Sequence, residues 1–296
     1  MYIKPKGIIP PIITPFDSEG NVNYDALKQM VNHLIEEGVH GLFPVGTTGE
    51  FYAFEDDTYR KIIETVKEAT AGRVPIYAGC NHITTRGVIH QVKICEKIGV
   101  DAVSILTPMF ISQTQEELYN HYRTIAESTS LPIIMYNNKP KTNVTIAPET
   151  VARLAKIENI IAIKDSTGDM TNTAEYIRLT RDNPNFSVLM GRDTLIFAAL
   201  CYGASGAIAS CANVAPRITA DIYDKFIAGD YKGALEAQFK LAPLRIATNL
   251  ATFPAIIKEG LIQEGYNVGK CLDPIGEVSE DAKQKLHKIL SDMDLV

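Results

Sequence analysis

Short apolar runs alternate with longer amphipathic segments along this chain, at a spacing of about 30 residues. That period constrains the fold more than any other feature. The strand-like runs cover residues 7–16, 41–45, 75–79, 101–107, 132–137, 160–165, 186–190 and 206–210. Most are rich in Ile and Val, as strands covered on both faces should be. Between them lie helix-like segments. The first, 24–37, places Leu27, Met30, Val31, Leu34 and Ile35 on one face. Others follow over 56–69, 87–98, 116–128, 148–156 and 172–181, with Pro148 fit for a first helical turn. Regular βα repetition predicts a parallel sheet, and eight units predict a closed (β/α)8 TIM barrel. An open doubly wound sheet is the alternative. It usually carries G-x-G-x-x-G after its first strand, and here that strand ends in Thr14-Pro15-Phe16-Asp17.

The length, 296 residues, allows two domains or one large barrel with material to spare. The surplus follows residue 210 and reads as helices over 213–227, 231–247, 253–264 and 279–293. Residues 1–210 are therefore expected to supply the barrel strands and most helices. Residues 211–296 supply the last barrel helix and a C-terminal helical extension of the same structural unit.

Composition removes other classes. Lys+Arg number 29 against 35 Asp+Glu, a net charge of −6, whereas nucleic-acid binding needs a basic face. No uncharged apolar stretch of about 18 residues occurs, so no membrane span is expected. The first residues show no apolar run of signal-peptide type. Cys80, Cys95, Cys201, Cys211 and Cys271 are odd in number and form no C-x-x-C pair, and the histidines form no H-E-x-x-H. Reduced thiols in a cytoplasmic protein, with no metal site, are the expectation.

In such a barrel, functional groups sit at the carboxyl ends of the strands. Val45-Gly46-Thr47-Thr48-Gly49-Glu50 follows the second strand. Glycines let backbone N–H groups converge into an anion-binding nest, and the two hydroxyls add donors. The alternative is an ordinary polar turn. Lys164 ends the strongly apolar run Ile160-Ile161-Ala162-Ile163. A free lysine has a pKa of about 10.4, and burial lowers it toward the range of a nucleophile that attacks carbonyls. The alternatives are a lysine that reaches solvent, or one paired with Asp165. Tyr136 ends the fifth strand, one strand from Lys164, and can relay protons or serve as core. Arg192 can bind an anion or face solvent. Asp193 can bind a hydroxyl or cap the following helix.

Taken together, Pro44-Val45-Gly46-Thr47-Thr48-Gly49-Glu50, Tyr136-Asn137 and Lys164-Asp165, at these intervals, resemble the dihydrodipicolinate synthase / N-acetylneuraminate lyase family. The resemblance runs from Gly7-Ile8-Ile9-Pro10-Pro11 to the C-terminal helices. It implies a barrel with a helical extension, a homotetramer, and a lysine that forms a Schiff base with pyruvate or a related 2-oxo acid, without cofactor. By position, Lys164 resembles the Schiff-base lysine and Tyr136 the proton-transferring tyrosine. Thr47 and Thr48 resemble the pair that relays protons and grips the 2-oxo acid carboxylate, with Gly46 in the same nest. Ile208 matches the residue whose backbone touches pyruvate.

The departures from the family pattern bear on the substrate. In the synthases a tyrosine from a neighbouring subunit completes the relay, and Phe110 stands there. An arginine holds the aldehyde's carboxylate, and Lys141 stands there. Asp193 matches a sugar-hydroxyl ligand of the lyases, but Thr194 replaces the acid beside it. Ser166 and Asp193 remain available for a shorter sugar acid. The first reading is therefore an aldolase or dehydratase of 2-keto-3-deoxy sugar acids, with 2-oxo acid and aldehyde as its small-molecule partners. The alternative is 4-hydroxy-tetrahydrodipicolinate synthase. A non-catalytic relative and a phosphosugar barrel enzyme using Arg192 are further readings.

Overall fold

Continuous Ile- and Val-rich runs form the sheet, as expected for strands buried on both faces. The computed structural model describes residues 2–296. Seven parallel strands are β1 (Gly7–Ile8), β2 (Tyr77–Gly79), β3 (Ala102–Leu106), β4 (Ile133–Asn137), β5 (Ile160–Asp165), β6 (Ser187–Met190) and β7 (Gly206–Ala207). Their order in the sheet is β1-β7-β6-β5-β4-β3-β2.

The sequence reading expects eight strands, and the one over 41–45 is not a full strand. Leu42 makes a single parallel bridge to Ile76, just before β2, and Phe43 one to Pro11, beyond the end of β1. Two local features keep it short. Pro44 has no N–H to donate to a ladder, and Val45 turns to φ 55°. Positive φ in a β-branched residue is a strained conformation.

Among the described residues, twelve α-helices accompany the strands. Before β2 come α1 (Tyr24–Glu36) and α2 (Asp56–Thr70). Between the remaining strands lie α3 (Thr85–Ile98), α4 (Gln115–Glu127), α5 (Lys139–Thr142), α6 (Pro148–Leu154), α7 (Met170–Thr180) and α8 (Ile196–Tyr202). After β7 come α9 (Pro216–Ile227), α10 (Tyr231–Ala247), α11 (Ala255–Gln263) and α12 (Glu280–Asp292). Capping sets several starts. The Asn23 side chain accepts from Ala26 N, and Thr114 with Glu117 forms a capping box. Pro148 occupies the first turn of α6, after Ala147. The short α5 and α8 escape the sequence reading because neither is long enough to show a helical period.

The pleat sorts the core. Ile133, Met135 and Ile163 pack outward with Leu27, Val31 and Ile62 of the helices. Ile134 and Ala162 pack on the other face with Ile9, Phe43, Tyr77, Leu189 and Ile208, so residues from across the sheet meet one another there. Side chains alternate with period 2. Tyr136 and Lys164 therefore continue the face of Ile134 and Ala162, at its carboxyl end. They are also direct register partners across β4 and β5. The extension is not an appendage: Ile256, Ile257 and Leu286 share a cluster with Ile8, Ile13 and Ala207.

Candidate active site

The turn after Phe43 is built by its backbone. Gly46 O accepts from Gly49 N at 3.1 Å and from Phe51 N at 3.3 Å. The carbonyl of the left-handed Val45 accepts from Asn81 Nδ2 at 3.2 Å. Gly79 of β2 runs beneath it, where a Cβ would collide with Val45 O. Among the described residues, nothing accepts from the N–H groups of Thr47 and Thr48. The turn thus presents two backbone donors and two hydroxyls. Glu50 closes it in the left-handed region at φ 56°, fully buried. Its carboxylate pairs with Lys258 Nζ of α11 at 2.8 Å and accepts from Leu272 N at 3.0 Å. The extension therefore holds the turn in place.

Lys164 is 4% exposed. Its Nζ lies 4.0 Å from the centre of the Tyr136 ring and 5.2 Å from that of Phe43. Asp165 is not its partner. Strand alternation turns Asp165 outward, where it accepts from Asn137 Nδ2 at 3.2 Å, Asn172 Nδ2 at 3.0 Å and Thr173 Oγ1 at 2.7 Å.

Tyr136 Oη lies 3.4 Å from Thr47 Oγ1 and accepts from Asn138 Nδ2 at 2.8 Å. Burial pushes this phenol's pKa up. The Lys164 ammonium and hydrogen bonds with Thr47, Lys164 and Ser166 outweigh burial, and the phenol is held below its ordinary value. A phenol so placed gives up its proton more readily than one in water.

Thr47, Thr48, Tyr136, Lys164, Ser166, Asp193, Ile208 and the exposed Lys141 all line one cavity of about 260 Å³. Ser166 Oγ donates to Gly191 O at 3.4 Å, and a side chain at Gly191 would strike that hydroxyl. Asp193 does not cap the helix after it. Its Oδ1 accepts from Cys211 N at 2.7 Å, and its Oδ2 lies 3.5 Å from Arg245 Nε. Gly46 forms the turn but is not on the cavity wall; it packs against the Phe43 ring.

Asn138, Arg192, Arg245 and Phe253 also line the cavity. Arg192 stands in the sequence reading only as a weaker candidate. Asn138 is missed there, although its position beside Tyr136-Asn137 is a signal. Arg245 and Phe253 lie in the extension, where no local pattern marks them as part of a site. Among the described residues, no group of three His, Cys, Asp or Glu is arranged to hold a metal ion, and no helix is long and apolar enough to cross a membrane.

Known proteins resemble this chain from end to end. The 4-hydroxy-tetrahydrodipicolinate synthase of Methanothrix thermoacetophila is 35% identical over 288 residues, 97% of each chain. The crystal structure of dihydrodipicolinate synthase from Thermotoga maritima superposes with a TM-score of 0.96 at 31% identity, covering 98% of this chain and 99% of that one. The chloride-inhibited dihydrodipicolinate synthase from Acinetobacter baumannii, complexed with pyruvate, superposes at 0.95 with 32% identity and the same coverage. The model of the dihydrodipicolinate synthetase family matches residues 4–293, and with these relatives spanning strands, turn and extension alike, the chain belongs to that family.

Proposed function

We propose that the protein is a lysine Schiff-base lyase that condenses pyruvate with aspartate semialdehyde, a 4-hydroxy-tetrahydrodipicolinate synthase. One observation carries the reading: Lys164 is buried at the cavity floor with no carboxylate partner, against the ring of Tyr136, whose hydroxyl reaches Thr47. Relatives bearing that name over the whole chain support the synthase ahead of the sugar-acid aldolase that the sequence reading places first.

The residues divide the work as follows. Thr47 and Thr48, with their free N–H groups, hold the pyruvate carboxylate and aim C2 at Lys164. Nζ adds to C2. The carbinolamine oxygen takes one proton from the nitrogen and one through Tyr136 and Thr47, then leaves as water. A protonated imine remains. That imine is the electron sink, so the step requires no metal or cofactor. C3 gives a proton to the Tyr136–Thr47 relay, the resulting enamine attacks the aldehyde carbon, and the new alkoxide takes that proton back from the relay. The semialdehyde's amine then displaces Lys164 from C2, which closes the ring and frees the lysine. Ile208 supplies backbone along the pyruvate. Ser166 and Lys141 line the aldehyde side.

The two parallel bridges from 41–45, to Pro11 beyond β1 and to Ile76 just before β2, support an eight-stranded closed barrel, with residues 211–296 part of the same unit. A homotetramer in the cytoplasm is the proposed working form. Phe110 and Ile111, 90% and 62% exposed, supply apolar surface for contacts between subunits, and five unpaired cysteines suit a reducing compartment.

Incubation with pyruvate and borohydride should reductively trap the pyruvate on Lys164, located by peptide mass spectrometry. An unmodified Lys164 would sink the mechanism. Lys164→Ala should fold and lose turnover by at least about 10³-fold. Phe110, with no hydroxyl to give a relay, favours a second reading as a 2-keto-3-deoxy sugar acid aldolase. An aldehyde panel separates the two, and preference for a sugar-acid aldehyde over aspartate semialdehyde would reverse the order.

A further inference from the structure

The cavity holds more positive charge than a lysine nucleophile needs. Lys141, Lys164, Arg192 and Arg245 line it against one carboxylate, Asp193. That carboxylate is already committed. It is 2% exposed, accepts from Cys211 N at 2.7 Å and Ser210 Oγ at 3.4 Å, and faces Arg245 Nε at 3.5 Å. Arg245 is fixed by Asp193 and by a hydrogen bond to Thr248.

Arg192 is different. It is half-buried, and among the described residues its guanidinium donates to no acceptor and joins no ion pair. Burial, and then the neighbouring Arg245 charge, pull its pKa below the ordinary arginine value. The group lies over the backbone of Gly168. A side chain at Gly168, where φ is +83°, would sit 3.2 Å from Arg192 Nε. A half-desolvated guanidinium with five unmet donors is a site waiting for an anion, and its planar fork suits a carboxylate bidentately.

We propose that Arg192, backed by Arg245, binds the carboxylate of the aldehyde substrate, and that Arg192 rather than Lys141 is the residue that selects an acid-bearing aldehyde. The assignment rests on the reaction proposed above. Lys141 has the charge but is exposed on the short α5, a hydrated point charge on a flexible stem. The pocket then takes two acid groups at once, one on the Thr47–Thr48 turn and one at Arg192.

The test measures KM for aspartate semialdehyde and for pyruvate in Arg192→Ala, Arg192→Lys and Lys141→Ala. Arg192→Ala should raise the aldehyde KM by about ten- to hundredfold, the range for a lost hydrogen bond to a charged group, and move the pyruvate KM less than threefold. Arg192→Lys should recover part of the loss, and Lys141→Ala should lose the smaller share. Equal losses for both substrates, an unchanged aldehyde KM, or a larger loss in Lys141→Ala would overturn the assignment. If Arg192→Ala does not fold, Arg192→Gln reads the same split. Trapping of pyruvate on Lys164 of the unmodified chain keeps the outcomes apart. No adduct defeats the reaction itself, whereas an adduct with an unmoved aldehyde KM defeats only the role of Arg192.

Discussion

Lys164 and Asp165 are neighbours with opposite surroundings. The pleat sends the lysine to the cavity, and sends the aspartate to Asn137, Asn172 and Thr173 behind it. Tyr136 is set by the same alternation, and its depressed pKa follows from the Lys164 charge and the Thr47 hydroxyl acting against burial. Removing one of those supports must let the phenol's pKa rise. Thr47→Val should move a tyrosine titration to higher pH in alkaline difference absorbance and lower kcat by about 10²-fold or more. The sign is fixed. A hydroxyl that stabilises phenolate lowers the pKa, so its loss raises it, and an unchanged titration would refute the relay. Strand ends and a Gly-flanked turn mark Lys164, Tyr136, Thr47 and Thr48 as candidates in the sequence, the family resemblance supplies their expected roles, and the structure brings them to one cavity. Arg245 was not, since a lone arginine on a helix carries no mark of where the chain will fold it.

At the scale of elements, the turn 45–50 and α11 act as one piece through Glu50 and Lys258. The pair is almost fully buried, and Lys258 Nζ also donates to Lys270 O at 3.1 Å and sits 3.9 Å from the centre of the Phe16 ring. Burial alone would drive the lysine toward its neutral form, and Glu50 opposes that. Breaking such a pair strands a buried charge. Lys258→Ala should therefore cost about 3–5 kcal/mol in denaturant unfolding and raise the pyruvate KM as the turn loosens. Joint replacement of Glu50 by Gln and Lys258 by Met should recover most of the stability. A single variant as stable as the parent would show that the pair does not hold the turn. Strand and helix positions were readable from hydrophobic period. The second strand was over-read, because a run of apolar residues does not reveal that Val45 leaves the extended region at φ 55°.

For the whole molecule, the net charge of −6 misdescribes the cavity at Lys164, where four cations meet one acid. Bulk acidity works against a polyanionic partner, while local cations admit a small one. The surface carries another contrast. Phe110 is 90% exposed at φ 78°, on a loop next to the exposed Ile111. If that loop joins subunits, Phe110→Asp should shift the protein to a smaller species in analytical ultracentrifugation at micromolar concentration. An unaltered sedimentation profile would place the interface elsewhere.

The tie between turn and tail also imposes an order in time. Glu50 meets the backbone of Leu272 across 222 positions, and Asn213 Oδ1 accepts from Ile13 N across 200. During synthesis from the N-terminus, the turn 45–50 leaves the ribosome long before the residues that pair with it. A nascent chain can carry Lys164 and Tyr136 and still lack a working pocket. The proposed pocket is therefore complete only after the last segments are translated, a delay that such long-range closure makes intrinsic to the topology.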